Sequence, residues 1–215
     1  MSNQKTIIIV DYGLGNLFSL EKAVKLFADK VIITNDSDII SSADAVIIPG
    51  VGAFAVGMEG LRKKELIEPL RNFAASGKPM LGICLGAQLM LGKGFEFGEY
   101  EGLGIIPGVV KIFPESVAQQ EKIPHVGWNG IYPPQGVQWD TTIFTNIDEK
   151  AQVYFTHSYI MIPDDPDNIL AIAEYGGIEF CAATKRGNVY GTQFHPEKSG
   201  GVGLKIIKNF IELIK

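Results

Sequence analysis

A chain of 215 residues, 46% hydrophobic, with 19 basic and 24 acidic residues and a formal charge of −5, has material for one sizeable core. The net acidity argues against nucleic acid or an anionic membrane as the main partner, and no apolar run nears the ~18 residues of a membrane span. Two cysteines far apart, Cys84 and Cys181, suggest no disulfide framework, and the first residues lack a signal-peptide pattern, so a reduced, cytoplasmic setting is expected.

Residues 6–10 form a continuous β-branched run, which predicts a buried parallel strand ending at Asp11-Tyr12-Gly13. Residues 17–27 follow with Leu17, Leu20, Ala23, Val24 and Phe27 at helical spacing. Short buried strands are predicted at 31–34 and 45–48, and an amphipathic helix at 60–75. A strand at 80–83 then runs into Cys84 and a helix at 85–91. This β-α-β order with short connections predicts an α/β fold with a doubly wound, mostly parallel sheet flanked by helices. Ligands of such sheets bind beyond the carboxyl ends of the strands, where three loops fall: 11–16, 49–54 and the turn at Cys84.

The second half reads as an added antiparallel β region, with segments at 109–113, 152–155, 170–175, 179–184 and 189–192. Tyr175-Gly176-Gly177 and Lys185-Arg186-Gly187-Asn188 have the composition of hairpin turns. A closing helix at 202–214 carries Leu204, Ile207, Phe210, Ile211 and Ile214 on one face. Without an internal repeat or linker, residues 1–215 are expected to form a single domain.

The chemistry concentrates at Gly82-Ile83-Cys84-Leu85-Gly86. A cysteine between glycines at a strand-to-helix junction has the form of a nucleophile elbow, whose tight turn excludes large neighbours. An ordinary thiol is only a few per cent ionised at pH 7, so a nucleophilic cysteine needs a base. His125, His157 and His195 are the candidates. His195 stands in Gln193-Phe194-His195-Pro196-Glu197-Lys198, directly after a strand, and Pro196 biases it toward an extended backbone. In an extended stretch residues two apart point the same way, so Glu197 is placed to orient the imidazole. Cys84, His195 and Glu197 then form a nucleophile-base-orienter set. Taken alone, Cys84 reads more readily as a small buried hydrophobe and His195 as a structural or surface histidine; the combination reads as catalysis. Cys181 sits in an ordinary strand, and His125 and His157 read as structural or partner-facing.

Pro49-Gly50-Val51-Gly52-Ala53-Phe54 follows a buried strand, and its amides are candidates for an oxyanion site with the Leu85 amide. The alternatives are a phosphate-binding or merely tight loop, although the Lys-Ser/Thr ending of a P-loop is absent. Asp11-Tyr12-Gly13-Leu14-Gly15-Asn16 hints at a dinucleotide turn but lacks the third glycine at the required spacing. No zinc-like spacing occurs, so neither a metal nor a cofactor is expected.

Gly82-Ile83-Cys84-Leu85-Gly86-Ala87-Gln88 with His195-Pro196-Glu197 resembles the signature of class I, triad-type glutamine amidotransferases. Pro49-Gly50-Val51-Gly52, Pro124-His125-Val126-Gly127-Trp128-Asn129 and Phe155-Thr156-His157-Ser158-Tyr159 narrow the resemblance to the glutaminase subunits of imidazole glycerol phosphate synthases. It spans essentially the whole chain. The resemblance implies that Cys84 attacks the glutamine side-chain amide, that His195 hands a proton to departing ammonia, and that Glu197 holds His195. It assigns Gln88, Glu96 and the segment Thr156, His157, Ser158 and Tyr159 to glutamine binding. Gly50, Val51 and Gly52 match the oxyanion loop. Asn16, Trp128, Tyr154 and Lys198 match positions facing a barrel-type cyclase subunit, with which the chain would form a heterodimer in histidine biosynthesis. Free ammonia is largely protonated at neutral pH, which favours delivery to a synthase through a protected path.

Three other readings stay open at this level. One is a paralogue that supplies ammonia for sugar amidation in surface-polysaccharide synthesis. Another is a stand-alone γ-glutamyl peptidase on the same Cys-His core. The third is a flavodoxin-like binding module, for which Cys84 would be dispensable.

Overall fold

The computed structural model describes residues 5–214. The elements run in chain order as β1 Thr6–Val10, α1 Leu17–Lys25, β2 Lys30–Thr34, α2 Ser37–Ser42, β3 Ala45–Ile48, α3 Phe54–Lys63, α4 Ile67–Ala75, β4 Met80–Ile83 and α5 Leu85–Leu89. The second half contains β5 Leu91–Gly94, β6 Tyr100–Glu101, β7 Ile106–Ile112, α6 Glu115–Ala118, β8 His125–Ile131, β9 Ala151–His157 and β10 Tyr159–Pro163. It closes with β11 Ile169–Tyr175, β12 Ile178–Arg186, β13 Val189–Thr192 and α7 Gly200–Glu212.

One 11-stranded sheet carries the order β2-β1-β3-β4-β13-β12-β10-β7-β5-β6, with β11 branching from β12. Its first five strands are mutually parallel, so the carboxyl ends of β1, β3, β4 and β13 share one edge. From β13 onward β12, β10 and β7 pair antiparallel, the added region expected from the second half. Strands β8 and β9 form a separate two-stranded ribbon with His125 opposite His157 and Trp128 opposite Tyr154.

Period-2 alternation explains the layers. Ile7 and Ile9 face one side with Ile47, Leu81, Ile83 and Tyr190, against Leu20 and Val24 of α1 and Ile206, Ile207 and Phe210 of α7. Ile8 and Val10 face the other with Val46 and Ile48, against Ile40, Met58, Leu61, Leu70, Phe73 and Leu85 of α2 to α5. Each strand is apolar on both faces because each face is covered. Burying one such side chain contributes about 1.5–3 kcal/mol.

Two helix expectations are corrected. Residues 60–75 are not one helix: α3 already begins at Phe54 and ends before Glu65, whose φ of 56° breaks the ladder, and α4 starts afresh at Ile67. Pro69 supplies the reason, since it lacks an amide hydrogen and fits only in a first helical turn. The helix expected at 85–91 stops at Leu89, because the segment that follows β6 captures its terminal carbonyls. Leu103 donates to the Leu89 carbonyl at 2.8 Å, and Ile105 and Ile106 donate to Met90 at 2.9 and 3.0 Å. The hairpins fall where the sequence puts them, with Gly176 and Gly177 at φ 56° and 75° joining β11 to β12. Gly187 and Asn188 join β12 to β13.

Candidate active site

Cys84 occupies the junction of β4 and α5 with φ 53° and ψ −112°. A non-glycine residue held there stores roughly 1–3 kcal/mol of strain. Two constraints hold it. The Cys84 amide donates to the Thr192 carbonyl of neighbouring β13 at 2.7 Å, and α5 packs so tightly on β3 that a Cβ on Gly86 would collide with the Ile48 carbonyl oxygen. The elbow therefore needs glycine at 86 for close approach rather than for dihedral freedom.

His195 lies three residues beyond β13. Its amide donates to the Tyr154 carbonyl of β9 at 2.9 Å, and its backbone is extended, φ −99° and ψ 97°. The extended run expected through Glu197 does not form: Pro196 opens a 3-10 turn, Pro196–Lys198. The turn still brings Glu197 Oε1 to 2.8 Å from His195 Nδ1, with both side chains at most 4% exposed. Burial by itself opposes charge on the imidazole. Cys84 and Glu197 more than offset it and push the His195 pKa up to about 9. His195 Nε2 and Glu197 Oε2 are buried without a hydrogen-bond partner, which leaves a proton-transfer position open on the imidazole.

Cys84 and His195 line a cavity of about 330 Å³ with Val51, Gly52 and Leu85 on one wall. Leu85 begins α5, so its amide has no intrahelical acceptor. Gly50 sits behind that wall, where a Cβ would lie 2.5 Å from the Tyr12 hydroxyl. Tyr12 is buried and donates to the Pro49 carbonyl at 2.6 Å. Burial, reinforced by nearby Cys84, raises its pKa and keeps that hydroxyl protonated.

Thr156, His157, Ser158 and Tyr159 make the opposite wall. Gln88 and Glu96 complete the lining, and each is positioned by a distant part of the chain. Gln88 Nε2 donates to the Tyr159 carbonyl at 3.1 Å and to Gln193 Oε1 at 3.0 Å, which leaves its own carbonyl oxygen for a ligand. Glu96 Oε2 accepts from the Phe54 amide at 2.7 Å, at the start of α3. His157 lines the cavity but is also tied to structure. Its Nδ1 lies 2.9 Å from the Tyr159 carbonyl and its Nε2 lies 3.1 Å from His125 Nδ1. Burial drives both imidazoles to the neutral form, His125 down to about 4 and His157 to about 3.

The residues expected at a partner surface ring the same edge. Trp128 is exposed and its ring meets Tyr154 edge-on, with centroids 6.1 Å apart. Lys198 is exposed on the turn that carries Glu197, and Asn16 caps α1, which packs against that turn. Cys181 lies apart on β12, where burial pushes its thiol up to about 12. Among the described residues, no group of three histidines, cysteines or acids could hold a metal ion, and no helix is long and apolar enough to cross a membrane.

Sequence reading missed four residues of this environment: Tyr12, Pro124, Gln193 and Ser199. Pro124 and Gln193 stood in motifs read for other residues, and Ser199 directly follows the His195 motif. Tyr12 stood in the loop 11–16 just beyond β1, a stretch weighed only as a dinucleotide turn.

The chain matches the Glutamine amidotransferase class-I family over residues 8–213. The chain belongs to the class-I glutamine amidotransferases. Among curated members, it is 47% identical over 211 residues to an imidazole glycerol phosphate synthase subunit HisH 1 of Legionella pneumophila (strain Lens), covering 97% of this chain and 99% of that protein. It is 45% identical over 207 residues to the HisH subunit of Syntrophotalea carbinolica, covering 95% and 98%. Among solved structures, a chain of PurLQS from Thermotoga maritima superposes with a TM-score of 0.74 at 20% identity, covering 99% of this chain and 100% of that one. A glutamine amidotransferase from the same organism gives 0.61 at 15% identity, covering 98% and 82%. These two likenesses speak to the amidotransferase fold alone.

Proposed function

We propose that this amidotransferase is the glutaminase subunit of an imidazole glycerol phosphate synthase, hydrolysing glutamine and passing the ammonia to a cyclase subunit in histidine biosynthesis. The observation that carries the reading is the buried Cys84-His195-Glu197 constellation, with Cys84 and His195 on a cavity that Gln88, Glu96 and residues 156–159 also line. Its near full-length likeness to HisH subunits favours this synthase over the polysaccharide paralogue.

In this reading Cys84 Sγ, as thiolate, attacks the side-chain amide carbon of glutamine. The oxyanion is met by an amide of the Val51-Gly52 segment and by Leu85 N–H; losing one such donor costs about 2.7–4 kcal/mol. His195, protonated at neutral pH, gives its Nε2 proton to the leaving nitrogen, and ammonia departs as the C–N bond breaks. Neutral His195 then takes a proton from water, whose oxygen attacks the glutamyl thioester. Glutamate leaves and the thiolate–imidazolium pair is restored. Glu197 keeps the Nδ1 proton on its own side, so Nε2 faces the chemistry throughout. Gln88 and Glu96 bind the amino-acid end of glutamine, and the 1–215 chain acts as one amidotransferase domain.

A glutaminase assay with and without the cyclase subunit and its ligand tests the proposal. The expected result is turnover that rises with the partner and vanishes in Cys84→Ala. Turnover indifferent to the partner, or hydrolysis of γ-glutamyl peptides by the isolated chain, would overturn it. Rescue of a histidine auxotroph separates this subunit from the paralogue.

A further inference from the structure

We infer that Gln193 is a further catalytic residue, whose side-chain amide donates a hydrogen bond to the Cys84 sulfur and stabilises negative charge there. The inference rests on the proposed role of Cys84 as nucleophile. Gln193 directly follows β13 and is completely buried. A primary amide in such a place must satisfy both its ends or cost stability.

Its orientation follows from its neighbours. The Tyr159 carbonyl only accepts, so the Gln88 atom 3.1 Å from it is the amide nitrogen. That nitrogen also lies 3.0 Å from the Gln193 side chain, so the Gln193 atom there is the carbonyl oxygen. The Gln193 nitrogen is thereby turned to Cys84 Sγ, at 3.9 Å. The chain Tyr159–Gln88–Gln193–Cys84 thus ends in an N–H aimed at sulfur, and no rotation of either amide preserves its bonds.

The rest of the sulfur's surroundings makes this donor consequential. The Thr156 carbonyl, also 3.9 Å away, accepts from a thiol but repels a thiolate. His195 faces the sulfur as the charged partner, with Glu197 behind it; Tyr12 lies close by, and Glu96 stands on the cavity wall. Gln193 is therefore the neutral donor beside the charged His195, favouring negative charge on the sulfur before it attacks and again as it leaves the thioester.

The test is alkylation of Cys84 by iodoacetamide at pH 7, followed by peptide mass spectrometry, in the wild type, Gln193→Leu and Gln193→Glu. Gln193→Glu keeps an oxygen for Gln88 to donate to and puts a carboxyl oxygen where the donor stood, so it guards against misfolding of Gln193→Leu, while Gln193→Leu removes the donor without adding charge. Alkylation is expected to slow about fivefold to tenfold in either folded variant, the scale of one typical intramolecular hydrogen bond. The kcat for glutamine is expected to fall while KM stays near the wild-type value. Rates within twofold of wild type in a folded variant would overturn the inference. Failure of the nucleophile reading itself looks different: Cys84→Ala would then retain glutamine turnover.

Discussion

Tyr154 holds the His195 turn from both sides. Its carbonyl accepts from the His195 amide at 2.9 Å, and its own amide donates at 2.9 Å to Ser199 Oγ, which in turn donates to the His195 carbonyl at 2.6 Å. The same strand, β9, presents the Tyr154 ring beside exposed Trp128 and the Thr156 carbonyl to the Cys84 sulfur. A protein seated on Trp128 and Tyr154 would bear directly on the backbone that positions both nucleophile and base.

Ser199→Ala should therefore cost activity without touching the substrate cavity. Removing the hydroxyl leaves the Tyr154 amide and the His195 carbonyl short of a partner, a penalty of about 1–3 kcal/mol. The expected result is a kcat about tenfold lower with KM little changed, since ~1.4 kcal/mol of lost positioning is one decade in rate. Ser199→Thr, which keeps the hydroxyl, should restore most of it. Equal losses in both variants would point to packing instead.

Tyr12 fixes the Pro49 carbonyl and hence the plane of the peptide that leads into the Gly50-Val51-Gly52 segment. Tyr12→Phe keeps the ring in the core and removes only the hydroxyl. The expected outcome is a fall in kcat of about tenfold with near-normal glutamine affinity, the effect of a loosened oxyanion donor. Steady-state kinetics check it, and an unchanged kcat would show that the loop holds its shape without this bond.

The two kinds of histidine give opposite pH dependences. His195 is raised to about 9 in the folded protein, so its charged form adds stability that is complete below its unfolded value near 6.5 and is lost as pH climbs through about 9. Activity that uses the imidazolium should fall over the same alkaline limb, and Glu197→Gln should move that limb to lower pH. His125 and His157, held neutral down to about 4 and about 3, add stability that is complete above ~6.5 and lost as pH falls toward those values. Chemical denaturation across this range should show the acid loss, and His125→Phe should lessen it.

Much of this was readable because the relevant signals are local. The β-branched runs at Thr6–Val10 and Ala45–Ile48 and the Gly176-Gly177 turn each dictate their own conformation. Cys84 and His195 were legible for the same reason, each marked by its immediate neighbours and its place after a strand. What stayed hidden depends on partners far along the chain. The end of α5 is set by amides at Leu103, Ile105 and Ile106, and the Gln193 orientation is set by Gln88 and Tyr159. The break between α3 and α4 was different, because Pro69 announced it and the apolar spacing masked it.

The most direct test is acid-quench mass spectrometry of the complex with its cyclase partner during glutamine turnover. A glutamyl adduct on the peptide that contains Cys84, absent from Cys84→Ser and released by hydroxylamine, is the predicted result. Full turnover with no adduct on Cys84, or an adduct on Cys181, would contradict the assignment.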